Sequence, residues 1–514
     1  MFEWTFDRRR GAWRAAAADL KLAGPDPVIV VPGESASMAE EDLLYMSAQQ
    51  AAAMIRRRKL SPVELTEAVL AQIERIAPLN AFVTVLWDEA RAAARAAEQA
   101  LMRATALAPL HGVPVHVKDQ VDTAGIPTTY GSAIFADHVP SRDDILITQL
   151  RAAGAVLVGK TRLPEFGNKG LTDGPSFGTT RNPWDPSRTC GGSSGGAAAA
   201  VAAGAGPLAL GTDGAGSIRI PAACCGVVGF KPTLGTVPWE AAIDAFSNYT
   251  YAGPITRSVS DAAVMLRVLA SASPRDPWSG SAGKDLPLSP GLIGRDLSAI
   301  RIGWIRKTAN PQLDPDMEAN ARAALALLGQ LGAQVEDVTE PIDWIEFPGR
   351  ILYQGNFHVA MQKYLPQWRD KMDPTLLAFV ERGGSFSMAD FRRAQYARTD
   401  LFRTLQGLLT RYDALVTPTL TRTALAADFD AANDAVLVNG VQCGITRLGW
   451  TAYVYPFNLT GHPALTVPSG FAADGLPTAV QIVGRWGADM DVLRLGALLE
   501  EARPWSGKRP PLPC

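Results

Sequence analysis

Residues 207–221 read PLALGTDGAGSIRIP. A short apolar run, 207–211, breaks into small residues at Gly214-Ala215-Gly216 and ends on Ser217. Continuous apolar runs of this length mark strands buried on both faces. Small residues ahead of a serine let the backbone approach a ligand and present several N–H groups to it. Such a nest suits a developing oxyanion, with Ser217 in the place of an attacking hydroxyl. Spacing alone fits a second reading equally, a tight turn that merely needs glycine.

Outward from this stretch the chain keeps an α/β rhythm. Val113, Val115 and Val117 make a short apolar strand ending at Lys118, and residues 155–159 (AVLVG) make another. Further strands are expected at 300–305, 334–338, 412–418, 464–467 and 478–484. Helices are expected at 87–104, 143–153, 197–203 and 315–331, and after Ser61-Pro62-Val63-Glu64, a capping box with proline at the first helical position. Buried runs alternating with helices predict one large α/β domain: a central, mixed, twisted sheet covered by helices on both faces. Residues 1–46 read as an N-terminal extension, either a helical packing arm or a tag-like segment, and 47–514 as the domain. Periodicity weakens over 340–450, which reads as helices and loops that shape a substrate pocket over one face of the sheet.

Two other islands carry chemistry. HVKDQ, 116–120, puts Lys118 at the end of an apolar strand. Burial disfavours an ammonium, and a neutral lysine is a general base; a lone lysine also fits a head that reaches water past the strand end. GGSSGG, 191–196, opens an alanine-rich helix and fits either a close backbone approach or serines acting as caps. It also contains G-x-S-x-G around Ser193, the pattern of a nucleophile elbow. That elbow follows a strand, however, and residues 181–190 (RNPWDPSRTC) hold two prolines and several polar groups. A His-dependent esterase built on Ser193, with His358 or His462 as base, therefore lacks its context. No G-x-x-x-x-G-K-[ST] occurs, so no P-loop is expected.

Bulk properties narrow the field. The 514 residues carry 49 basic and 51 acidic side chains, a formal charge of −2, and 47% are hydrophobic. A near-neutral globular chain gives no electrostatic case for nucleic acid or an anionic membrane. Cys190, Cys224, Cys225, Cys443 and Cys514 are too sparse for a disulfide scaffold and show no zinc spacing. No metal or cofactor is expected. Residues 1–24 have arginines but no apolar core after them, and no apolar window has bilayer length. A cytoplasmic location, with no membrane partner, is expected.

Together HGVPVHVKD (111–119), NPWDPSRTCGGSSGG (182–196), GTDGAGSIRIPAACCGVVGFKPT (211–233) and FNLTGHPALTVPSGF (457–471) resemble the amidase signature family. The resemblance runs from about Ser47 to the C-terminus and implies a Ser–cis-Ser–Lys triad. It implies Ser217 as nucleophile, Ser193, 24 positions earlier and after a cis peptide bond from Gly192, as proton bridge, and Lys118 as base. It further implies an oxyanion hole from the N–H groups of Gly214, Ala215, Gly216 and Ser217, with Ser194, Asp213 and Arg219 in support. Two departures stand out. Ala215 puts a methyl where the family usually has glycine, which would be costly if that residue needed positive φ. Gln120 stands where asparagine is usual.

The family's substrates are small-molecule amides and, by the same chemistry, carbamates; one branch is the glutaminase component of a tRNA-dependent amidotransferase. Tyr353, Cys443, Trp450, Tyr455 and Phe457, with Phe357 and Tyr453 nearby, are the candidate substrate-binding residues, and core packing is the competing role for each. If several line the site, the substrate is bulky or aromatic, an anilide or aryl carbamate. A monomer or homodimer is expected.

Overall fold

The computed structural model describes residues 3–7, 12–16, 40–103, 106–279, 296–308 and 310–512. Eleven strands form one mixed sheet: β1 Phe82–Val85, β2 Pro114–Lys118, β3 Val156–Thr161, β4 Leu208–Asp213, β5 Val228–Lys231, β6 Tyr251–Thr256, β7 Arg301–Trp304, β8 Gln334–Asp337, β9 Ala414–Pro418, β10 Ala464–Phe471 and β11 Pro477–Gly484. Their order across the sheet is β8-β7-β9-β11-β10-β5-β6-β4-β2-β3-β1. β4, β2 and β3 run parallel, as do β9, β7 and β8; the strands between them pair antiparallel.

Every residue of β2, β3, β4, β6 and β11 is buried. Alternate side chains of a strand point to opposite faces, so complete burial requires cover on both. Helices supply it, and the chain is a single large α/β domain. One apolar cluster extends from Leu43 through the sheet to Leu499. A second gathers Trp344, Tyr353, Leu405, Tyr455 and Phe457 under the helices Glu346–Met361 and Met388–Arg411.

Local signals act through different partners than expected at two helix starts. Ser61 Oγ accepts from the N–H groups of Val63 and Glu64, capping Pro62–Arg75, but donates to Glu98 instead of being answered by Glu64. Ser194 begins Gly195–Ala202 without capping it; its hydroxyl is engaged with strand β4. The glycines there serve close packing. A Cβ on Gly195 would lie 2.2 Å from Thr172 Oγ1, and one on Gly196 would lie 2.4 Å from the Ala81 carbonyl oxygen.

Within the N-terminal extension, Glu3–Asp7 pairs antiparallel with Ala12–Ala16; residues 8–11, 17–39 and Cys514 lie outside the described residues. Leu43 and Leu44 are buried, and Arg257 donates to the carbonyls of Leu44 and Met46. Among the described residues, no helix is long and apolar enough to cross a membrane.

Candidate active site

β2 and β4 lie side by side in parallel, with Val117 opposite Leu210. Their C-terminal ends deliver Lys118 and Thr212-Asp213 to one place, where helix Gly195–Ala202 begins. Ser193 and Ser217 face a common cavity of about 680 Å³. The Gly192–Ser193 peptide bond is cis.

Lys118 Nζ lies 2.6 Å from Ser193 Oγ and 2.7 Å from Thr212 Oγ1. Thr212 Oγ1 donates in turn to Gln120 Oε1 at 2.9 Å, so the glutamine orients the threonine. The Lys118 side chain is fully buried, and desolvation lowers its pKa to about 7 against a smaller opposing pull from Asp213. At neutral pH about half of a lysine with that pKa is uncharged and able to accept a proton. Ser194 donates to the Thr212 carbonyl at 3.0 Å and accepts from its N–H at 3.2 Å. The Ser194 N–H donates to the Ser217 carbonyl at 3.0 Å. These bonds tie the two serine-bearing segments together.

The turn before Ser217 is held by a buried ion pair. Arg219 meets Asp213 through Nε–Oδ2 at 2.9 Å and Nη2–Oδ1 at 3.0 Å, with both side chains fully buried. Its remaining N–H groups reach the Val454 carbonyl, Gln481 and Asn458. Asn458 also donates to Asp213 Oδ1 at 2.8 Å. Burial would raise the Asp213 carboxyl, but Arg219, Asn458 and Lys231 together outweigh it and bring it down to about 2. Asn458 and Gln481 are members of the site that the sequence reading missed. They stand 239 and 262 residues from Arg219, with no local pattern to reveal them.

The nest differs from expectation in two respects. The Gly216 N–H donates to Asp213 Oδ1 at 2.6 Å, so it is engaged with the carboxylate, leaving Gly214, Ala215 and Ser217 of the four expected oxyanion donors. The left-handed backbone falls on Gly216, φ +105°, and Ala215 is not among the residues of positive φ. The extra methyl therefore carries no backbone penalty. Tyr353 donates its hydroxyl to the Gly214 carbonyl.

Tyr353 and Phe357 line the cavity. The expectation for Cys443, Trp450, Tyr453, Tyr455 and Phe457 is corrected: none of them lines it. Trp450 is buried with its indole N–H on the Arg422 carbonyl. Phe457 packs edge-to-face on Trp344, and Tyr455 is buried in the same cluster. Cys443 accompanies the 437–442 hairpin away from the cavity. Aromatic density marks the region without saying which side of a helix faces the void. The apolar wall instead comes from Phe166, Trp239, Phe357, Met361 and Phe379.

Among the described residues no histidine lines the cavity. His116 and His462 are buried, and desolvation lowers both to a pKa of about 3. No group of three or more His, Cys, Asp or Glu side chains among the described residues is placed to hold a metal ion.

A family model described as Amidase matches residues 64–493. An acylamidase of Rhodococcus erythropolis is 37% identical over 484 residues, spanning 92% of this chain and 98% of its own. The A component of the glutamyl-tRNA(Gln) amidotransferase of Chloroflexus aurantiacus is 35% identical over 499 residues, spanning 92% and 99%. The crystal structure of a bacterial aryl acylamidase of the amidase signature enzymes superposes with a TM-score of 0.83 at 31% identity, covering 90% of this chain and 97% of that one.

Proposed function

The chain belongs to the amidase family and hydrolyses amide C–N bonds, and from that premise we propose a serine acyl-enzyme mechanism acting on bulky or aryl carboxamides. The observation that carries the reading is the buried 2.6 Å contact between Lys118 Nζ and Ser193 Oγ, beside Ser217 in one cavity.

Ser217 Oγ attacks the substrate carbonyl carbon. Its proton passes to Ser193 Oγ as the Ser193 proton passes to neutral Lys118, so one base serves two hydroxyls. The N–H groups of Gly214, Ala215 and Ser217 receive the oxyanion. As the tetrahedral intermediate collapses, the relay runs backward and delivers the proton to the departing nitrogen, which leaves as a neutral amine. Water then enters, gives its proton to the same relay, and releases the acid from Ser217.

The size of the cavity and its wall of Phe166, Phe357, Met361 and Phe379 support a bulky or aromatic substrate, as does the similarity to an aryl acylamidase. A carbamate uses the same attack and the same leaving nitrogen. The identity to the amidotransferase component favours a second reading, a glutaminase that works within a complex. The test is turnover of an acetanilide, an aliphatic amide, an aryl carbamate and glutamine, with the covalent acyl adduct on Ser217 sought by mass spectrometry. Anilide turnover through that adduct supports the proposal; turnover of glutamine alone overturns it for the second reading.

A further inference from the structure

Four cationic side chains line the cavity, and two of them are neutralised where they stand. Lys169 lies 2.8 Å from both Asp173 and Asp373, and Arg350 lies 2.8 Å from Glu346. Arg382 sits exposed on the rim, on the same cavity as exposed Asp244. Arg447 is different. It is half-buried, and its Nη1 is buried with no hydrogen-bond partner; among the described residues no carboxylate forms an ion pair with it. Its guanidinium instead stacks over the Tyr353 ring at 4.5 Å and over the Tyr455 ring at 5.7 Å.

Nη1 is sealed from the cavity, but the rest of the half-buried guanidinium lines it and makes no hydrogen bond to a described residue, so its N–H groups are open to an anion there. Two ring contacts hold the guanidinium in place, and its fork of N–H groups suits bidentate capture of a carboxylate. Its position relative to the chemistry follows from Tyr353. That ring carries Arg447 on its face, while its hydroxyl bonds the Gly214 carbonyl in the nest. An anion held by Arg447 therefore stands one phenol away from the reacting centre.

We propose that Arg447 is a substrate-binding residue that selects amides bearing a carboxylate a few bonds from the scissile group. This rests on the amide-hydrolase reading and narrows its substrate class. The phenyl end of such a substrate takes the Phe166–Phe357–Phe379 wall, and the carboxylate takes Arg447.

Binding and turnover separate the two claims. Glutaric acid mono-anilide and valeranilide share an anilide and a similar chain but differ in the carboxylate. Their affinities for the Ser217→Ala protein, measured by calorimetry, test the inference without any reaction. The expected result is at least tenfold tighter binding of the anionic ligand, the scale of a charged hydrogen bond. Adding Arg447→Met should cut the anionic ligand's affinity about tenfold or more and shift the neutral ligand's much less; Arg447→Lys should restore part of the preference. Equal affinity of the two anilides, or an equal loss of both in Arg447→Met, overturns it. Turnover of valeranilide by the unsubstituted protein tests the hydrolase reading separately.

Discussion

Lys118 and Ser193, 75 residues apart, meet at 2.6 Å, the lysine fully buried and the serine nearly so at the edge of the cavity. Because desolvation lowers the lysine to about 7, its basic form is the minor one at pH 6 and the major one at pH 8. The kcat/KM for a neutral anilide should therefore rise with pH through about 7 and then level off. A profile that falls across that range would count against Lys118 as the base.

Lys118→Ala should lower kcat by roughly 10²–10⁴, the range for loss of a general base, with folding retained. Circular dichroism and thermal melting check the second half. A buried lysine contributes desolvation cost as well as two hydrogen bonds, so its loss need not destabilise the domain.

The two serines should differ. Ser217→Ala removes the atom that bonds to substrate and should abolish turnover, with losses on the order of 10⁶ in kcat as for other serine nucleophiles. Ser193→Ala removes only the bridge and should leave a measurable residue. Single-turnover kinetics with active-site titration distinguishes the two, and comparable activity in Ser217→Ala would sink the assignment.

Arg219→Met should be a stability mutation before it is a catalytic one. It strands the buried Asp213 carboxylate and should cost about 3–5 kcal/mol in urea unfolding. Asp213→Asn should cost a similar amount, because it leaves the buried Arg219 guanidinium without a counter-charge and turns an amide N–H toward the Ile218 and Arg219 donors.

Gly216→Ala should lose both stability and activity. A Cβ at that position would lie 2.3 Å from Val454 Cγ2, and the backbone sits at φ +105°. Val454→Ala in the same chain removes the Cγ2 contact but leaves Val454 Cβ at 2.8 Å and the backbone at φ +105°, so only part of the melting temperature should return; full recovery would mean that neither costs anything there.

Much of the sheet was legible because buried parallel strands announce themselves as apolar runs: residues 113–118, 155–159 and 207–211 each became a strand. β6 was not, since YAGPIT places Gly253 and Pro254 inside a strand that pairs on both sides, against the usual exclusion of proline. β1 was hidden because its four residues are only half-buried and show no alternation. Helix Glu346–Met361 carries Pro348, Gly349 and Gly355, which blur its period. At the site, the roles of Lys118, Ser193 and Ser217 were expected through the family resemblance that the motifs carry, since their spacing alone fits a tight turn, a helix cap and a solvated lysine as well. Tyr353 was found by aromatic character alone. Asn458, Gln481 and the cavity role of Arg447 depend on tertiary contacts that leave no periodic trace.

The cavity has two kinds of wall, and they have different histories available to them. Lys118, Ser193 and Ser217 project from strand ends and turns fixed by the central sheet, where even a methyl on Gly195 or Gly196 has no room. Phe357, Met361 and Phe379 project from helices Glu346–Met361 and Pro374–Gly383, and Met361 and Phe357 belong to an outlying apolar cluster with Leu376 and Val380. Diversification confined to residues 346–383 would thus rewrite which amides are accepted while the proton relay is inherited unchanged, which makes that segment the place to direct a library for new substrates.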